Sequence, residues 1–198
     1  MAAKIIVAAS VTADGVMQAP AGPDEDRTYG FAHGGWMTPY VDEGFGDAMG
    51  AVFAGADAML LGHRSYNILA GYWPVHRDEE GAEQLNRMRK YVATRRDFPP
   101  EWENTQVLAG EAAETVAALK ASSDERIVVQ GSSELLRTLQ HAKLVDEYHL
   151  LVFPVVLGEG KRLFGEGAAP AALRLTRVQT TPSGVVWTAY EYAGPPSC

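Results

Sequence analysis

Gly62, His63, Arg64 and Ser65 follow the apolar run Ala58-Met59-Leu60-Leu61 without a break. A glycine, a cation and a hydroxyl at a strand-to-helix turn are the parts of a phosphate site. Amide groups at a helix start are unpaired and carry partial positive charge, and an arginine fork matches phosphate oxygens. The same glycine also suits a turn that binds nothing, since glycine relieves backbone crowding. Two further turns share the pattern. Thr94-Arg95-Arg96 ends one short run, and Gly131-Ser132-Ser133 follows Val128-Val129-Gln130 and opens a helix. Together they place hydroxyls, cations and amides at corresponding ends of successive strands, which a dinucleotide with several phosphates requires.

Other residues suited to chemistry are fewer. Asp14-Gly15 comes after the first apolar run. A carboxylate there can orient substrate or relay a proton, or serve only as a turn pair. Trp36, Tyr40, Tyr66 and Trp73 offer flat rings for stacking on a heterocycle or for packing. His33, His63, His76, His141 and His149 show no metal-ligand spacing with a helical carboxylate, so no metal is expected. No Gly-x-Ser-x-Gly occurs, so the hydrolase nucleophile turn is missing. Gly158-Glu159-Gly160-Lys161-Arg162 looks like a phosphate loop, but Val155 stands where its first glycine belongs and Arg162 where its hydroxyl belongs. It reads as a tight turn after Val155-Val156-Leu157.

These residues need elements to position them, and hydrophobic spacing supplies them. Strands are predicted at residues 4–10, 57–61, 90–94, 107–108, 126–130 and 145–152. Helices are predicted at 41–54, 64–70, 79–89, 112–121 and 133–141. Residues 12–39 form a long Gly/Pro/Asp-rich loop, of the kind that covers a site as a lid. Residues 173–180 and 185–192, joined across Pro182-Ser183-Gly184, read as a β-hairpin. The sum is a set of βα units making a mostly parallel sheet, finished by antiparallel strands. Ligands bind such sheets at the carboxyl ends of the strands.

Bulk properties narrow the partners. The 198 residues suit one large domain, with 46% hydrophobic and 21% charged residues. A formal charge of -8 and a pI near 5.1 argue against nucleic-acid binding. Arg87, Arg89, Lys90, Arg95 and Arg96 form one basic neighbourhood, suited to a small anionic ligand or to a solvated face. Cys198 is the only cysteine, so no internal disulfide forms, and a reducing cytoplasm is expected. The apolar stretch at residues 5–11 is short for a signal core, and no run is long enough to cross a membrane.

In this order the residues resemble the dihydrofolate-reductase-like superfamily. More closely, they resemble the C-terminal reductase domain of the bacterial riboflavin-biosynthesis deaminase–reductase. Gly62-His63-Arg64-Ser65-Tyr66, Thr94-Arg95 and Val128-Val129-Gln130-Gly131-Ser132-Ser133-Glu134-Leu135 carry the likeness, with Leu144-Val145-Asp146-Glu147 and the stretch from Pro154 through Lys161 to Phe164. It covers nearly the whole chain. The missing Cys/His zinc motif implies that no deaminase domain precedes it. The resemblance implies one domain over residues 1–198, with a three-layer α/β fold, a mostly parallel central sheet and a C-terminal antiparallel hairpin.

The resemblance also implies NADPH as cofactor. Hydride would pass to a small heterocycle that is pterin- or folate-like or 5-amino-6-(5-phosphoribosylamino)uracil-like. Gly62, His63, Arg64, Ser65, Thr94 and Arg95 would hold the adenosine 2′-phosphate side. Gly131, Ser132 and Ser133, with Glu134 and Leu135, would cradle the pyrophosphate, and Ser10 and Met17 would flank the nicotinamide. Asp14 is the candidate proton donor; Trp36, Tyr40 and Tyr66 are candidates for the substrate side. His63 departs from the arginine usual in the family. Members are often dimers, and Val152, Phe153, Val155 and Val156 could extend a sheet across a two-fold axis. A nucleotide-binding or sensor protein without turnover is the alternative on the same fold.

Overall fold

The computed structural model describes residues 2–197, so Cys198 lies outside them. In chain order the elements are β1 (Lys4–Thr12), α1 (Glu43–Phe53), β2 (Ala58–Gly62), α2 (His63–Tyr72), α3 (Ala82–Arg87), β3 (Arg89–Thr94), β4 (Thr105–Ala109), α4 (Ala112–Ser122), β5 (Arg126–Gln130), α5 (Ser133–His141), β6 (Glu147–Phe153), β7 (Leu173–Thr180) and β8 (Val186–Tyr192). The eight strands run in the order β4-β3-β2-β5-β1-β6-β8-β7. The sheet is mostly parallel, with antiparallel strands at the C-terminal end, as predicted.

The chain divides into two compact units built from discontinuous segments. One holds residues 2–6 and 54–145, the other residues 7–53 and 146–197. The chain passes between them within β1 and between elements, with no linker. Composition therefore shows no boundary.

In the first unit β2 is central. It pairs in parallel with β3 (Gly62 opposite Ala93) and with β5 (Leu60 opposite Val129). Every residue of β2 is buried, and Ile127, Val128 and Val129 of β5 have no exposed surface. Strands covered on both faces read as unbroken apolar runs, which is why both were legible. In α5, Leu135, Leu136 and Leu139 make the buried stripe. The predicted helix at 79–89 is shorter: Gly81, at φ 81°, precedes α3, and the chain is extended again at Arg89.

In the second unit β8 lies between β6 and β7 and pairs antiparallel with both, with Leu151 opposite Trp187 and Gln179 opposite Trp187 from the other side. Phe153 has no exposed surface. Trp36, Tyr40 and Phe45 surround it, with ring centroids 5.3, 6.0 and 5.9 Å away. Asp42 caps α1 through Phe45 N–H (2.8 Å) and accepts Ser183 N–H from the hairpin turn (2.8 Å).

Candidate cofactor site

The turns after β2 and β5 interlock. A Cβ built on Gly62 would lie 2.2 Å from Ser132 Oγ and 3.0 Å from its Cβ. A Cβ on Gly131 would lie 3.1 Å from Ser65 Oγ. Each glycine therefore accommodates a serine of the other turn. Gly62 has φ -78°, open to any residue, so the constraint there is space: a side chain at position 62 would require Ser132 to move. Gly131 and Ser132 have φ 72° and 62°. For serine that left-handed conformation is strained, a feature that clusters at binding sites.

The interlock sets two helix starts beside each other. Neither α2 nor α5 has a side-chain cap at its amino end. An uncapped helix start suits an anion's oxygens, and in α5 the first-turn amides of Ser133, Glu134 and Leu135 face that role. Ser65 and Ser133 are half-buried and add hydroxyls. Leu135 is buried, so only its amide can serve a ligand, while Glu134 is exposed.

The turn after β3 completes this edge. Thr94 is buried; its Oγ1 accepts Arg96 N–H (3.0 Å), and its carbonyl accepts Gly110 N–H (3.1 Å). Thr94 thus shapes the turn that presents Arg95, which is exposed and lies 3.5 Å from Glu111. Arg64 is exposed at the start of α2. The His63 ring meets Phe98 edge-on at 4.6 Å. Tyr66 is buried, packs on Phe98 and Trp102, and accepts Trp102 N–H at 2.9 Å. Its ring is committed to packing on Phe98 and Trp102 and leaves no face for a substrate.

A buried polar cluster fixes the segment after Arg95. Lys90 has no exposed surface. Its Nζ donates to the carbonyls of Asn86 and Glu103 and sits 4.2 Å over the Trp102 ring. Trp102 Nε1 donates to Asn86 Oδ1 (2.7 Å), and Asn86 Nδ2 to the Trp73 carbonyl (3.0 Å). Burial lowers the Lys90 ammonium to about 8, against an opposing pull from Glu103. Trp73, read as a stacking candidate, is half-buried beside this cluster.

The remaining candidates belong to the second unit. Ser10 is half-buried in β1; Met17 is buried, and its amide donates to Lys161 O (2.8 Å). Asp14 has another task than proton transfer. It accepts the Thr12 hydroxyl (2.6 Å), the amides of Leu157 and Gly158, and Arg162 Nη2 (3.2 Å). The Thr12 bond first, and the backbone amides with it, hold its carboxyl far below the ordinary range despite some desolvation. A carboxylate so engaged has no proton to give at neutral pH.

The loop expected to act as a lid is tied down within the same unit. Gln18 is buried; its Nε2 donates to the carbonyls of Asp26 and Thr28, and its Oε1 accepts Lys161 N–H. Trp36 is buried and donates Nε1 to Gln18 O (2.7 Å), which makes it a packing residue. Asp26 meets Lys161 at 2.7 Å. Burial opposes its ionisation, but Lys161 and Thr28 hold it at about 2. Tyr40 is half-buried against Phe153. The turn at 158–162, bland in sequence, is thus the anchor of this loop. Gly160 has no room for a side chain, since a Cβ would come within 2.8 Å of Phe31 and Val16. Sequence spacing gives no sign of the bonds from Lys161, whose partners Gln18 and Asp26 lie 143 and 135 residues away.

Strand order, hairpin and turns define a dihydrofolate-reductase-like α/β protein. The chain belongs to the RibD C-terminal domain family, whose model matches residues 3–187. It is 29% identical over 196 residues to the uncharacterized protein YyaP of Bacillus subtilis strain 168, covering 96% of each chain. Its fold is similar to that of a putative riboflavin biosynthesis protein from Shewanella sp. PV-4, with TM-score 0.66, 18% identity and 97% and 99% of the two chains covered. It is also similar to dihydrofolate reductase from Enterococcus faecalis complexed with NADP(H), with TM-score 0.59, 13% identity and 96% of each chain covered. Among the described residues no helix is long and apolar enough to cross a membrane, and no group of His, Cys, Asp or Glu could hold a metal ion.

Proposed function

We propose that this protein is an NADPH-dependent reductase acting on a small heterocycle of the pterin, folate or 5-amino-6-(5-phosphoribosylamino)uracil kind. The observation that carries the reading is the interlock of Gly62 with Ser132 and Gly131 with Ser65, which sets two uncapped helix starts side by side. That donor set fits a dinucleotide: backbone amides and serine hydroxyls for pyrophosphate, and Arg64 and Arg95 for a further phosphate. Family membership and the complex with NADP(H) of a similar fold support it.

Reduced nicotinamide, when bound, supplies the hydride for a C=N or C=O group. The protein's part is positioning. The amides of Ser133, Glu134 and Leu135 would hold pyrophosphate oxygens, and the Ser65 and Ser133 hydroxyls would donate to them. Thr94 keeps its turn closed, so Arg95 projects from the end of β3. Asp14 holds the 157–162 turn, and the proton that balances the hydride would come from solvent.

That last point favours a second reading. With Asp14 held ionised, the protein could bind the nucleotide without turnover, as a sensor. Fluorescence titration with NADPH, followed by oxidation assays with pterins, folates and ribityl-pyrimidines, separates the two. Binding with oxidation by one compound supports the reductase; binding with none favours the sensor; no binding removes both.

We also propose a homodimer. Val178 and Leu175 of β7 are 61% and 52% exposed, and the register sets them beside Thr188 and Tyr190 of β8. Exposed apolar residues along a sheet edge suit a second copy. Phe153, named from the sequence for that role, lies in the core instead. Light scattering on the wild type and V178K is the check: a dimer that V178K splits supports it, and a wild-type monomer contradicts it.

A further inference from the structure

We propose that Glu111 sets the cofactor specificity of this site by countering Arg95 where a 2′-phosphate would bind. The inference rests on the dinucleotide reading above. The ends of β3 and β4 are level, with Thr94 opposite Ala109 and Gly110 N–H donating to Thr94 O. Arg95 follows the one strand and Glu111 the other, and Arg95 Nη1 stands 3.5 Å from Glu111 Oε1. Both side chains are mostly exposed, at 78% and 63%, so a ligand can reach the pair.

Glu111 is not needed by its helix. It precedes α4, yet its side chain caps nothing; only its carbonyl accepts the amides of Glu114 and Thr115. Its carboxylate faces Arg95 instead. The two nicotinamide dinucleotides differ at this point in one group. A ribose 2′-hydroxyl can donate a hydrogen bond to a carboxylate, whereas a 2′-phosphate is drawn to a guanidinium and repelled by a carboxylate. Glu111 therefore offsets the charge that would select NADPH. The neighbouring turn adds Arg64, but position 63 carries an imidazole packed edge-on against Phe98 in place of a further guanidinium. The wild type's preference for NADPH is thus smaller than Arg64 and Arg95 alone would give, and loss of the Glu111 charge sharpens it.

The test is direct binding of NADPH, NADH, 2′,5′-ADP and 5′-ADP to the wild type, E111Q and R95Q. Because both side chains are exposed, the variants retain the fold. E111Q should tighten NADPH and 2′,5′-ADP about five-fold at low ionic strength, and less in high salt. NADH and 5′-ADP should move less than about two-fold, since they lack the phosphate. R95Q should weaken only the two 2′-phosphate ligands. Equal movement of both ligand classes in E111Q, or movement of neither, overturns the role of Glu111 while leaving the cofactor reading intact. A wild type that binds neither dinucleotide overturns the cofactor reading and this inference with it.

Discussion

Gly62 and Ser132 share one space: a Cβ at position 62 would lie 2.2 Å from Ser132 Oγ. Substitution at either position is therefore coupled to the other. G62A should destabilise by about 1–3 kcal/mol, the usual range for overpacking, and weaken NADPH binding as the two helix starts separate. G62A/S132G removes the obstructing side chain and the strained serine φ together, so it should recover most of the loss. Chemical denaturation of the four proteins of this cycle measures the coupling. Additive effects would show that the two turns do not meet.

Lys90 makes a stability prediction with a definite sign. Its folded-state pKa is lowered from 10.5 to about 8 by burial. The unfolded chain therefore holds this proton between about pH 8 and 10.4 while the folded chain releases it, and stability rises with pH across that window. Below about pH 8 both states are protonated, and the full cost of burying the charge is present. Melting temperatures at about pH 7 and about pH 9.5 should show wild type gaining on K90M as pH rises. A constant gap between the two would contradict the assignment.

Asp14 and Asp26 carry the opposite sign. Both are held below the ordinary carboxyl range, Asp26 at about 2. Their contributions are complete above about pH 4 and are lost as pH falls through the folded-state values. D14N and D26N should each be less stable than wild type at neutral pH, by about 1–3 kcal/mol for the lost charge-assisted bonds. The gap to wild type should narrow toward pH 2, measured by acid titration of near-ultraviolet circular dichroism. A gap that persists unchanged at low pH would contradict their role as anchors.

What was legible in the sequence was local. The runs in β2 and β5 and the Leu135, Leu136 and Leu139 stripe are patterns within a few residues, and the three strand-end turns were placed correctly from them. What was not legible depends on approach in space. The reason position 62 is glycine lies at residue 132, and nothing in a strand-turn-helix pattern distinguishes lack of room from need for a special φ. Asp14 looked free because its partners at Leu157, Gly158 and Arg162 are 143 to 148 residues away. The loop at 12–39 reads as a lid because of its length, while the bonds of Gln18 and Lys161 that restrain it leave no periodic trace. Glu111 carries no mark in the sequence for the same reason: the pairing of β3 with β4 brings it to Arg95.

The central claim is that the interlocked turns hold a dinucleotide, and NADPH titration of the wild type and G62A tests it most directly. We expect saturable, stoichiometric binding by the wild type and a marked loss of affinity in G62A. Absence of wild-type binding at about 1 mM NADPH, or equal affinity in G62A, would contradict the account.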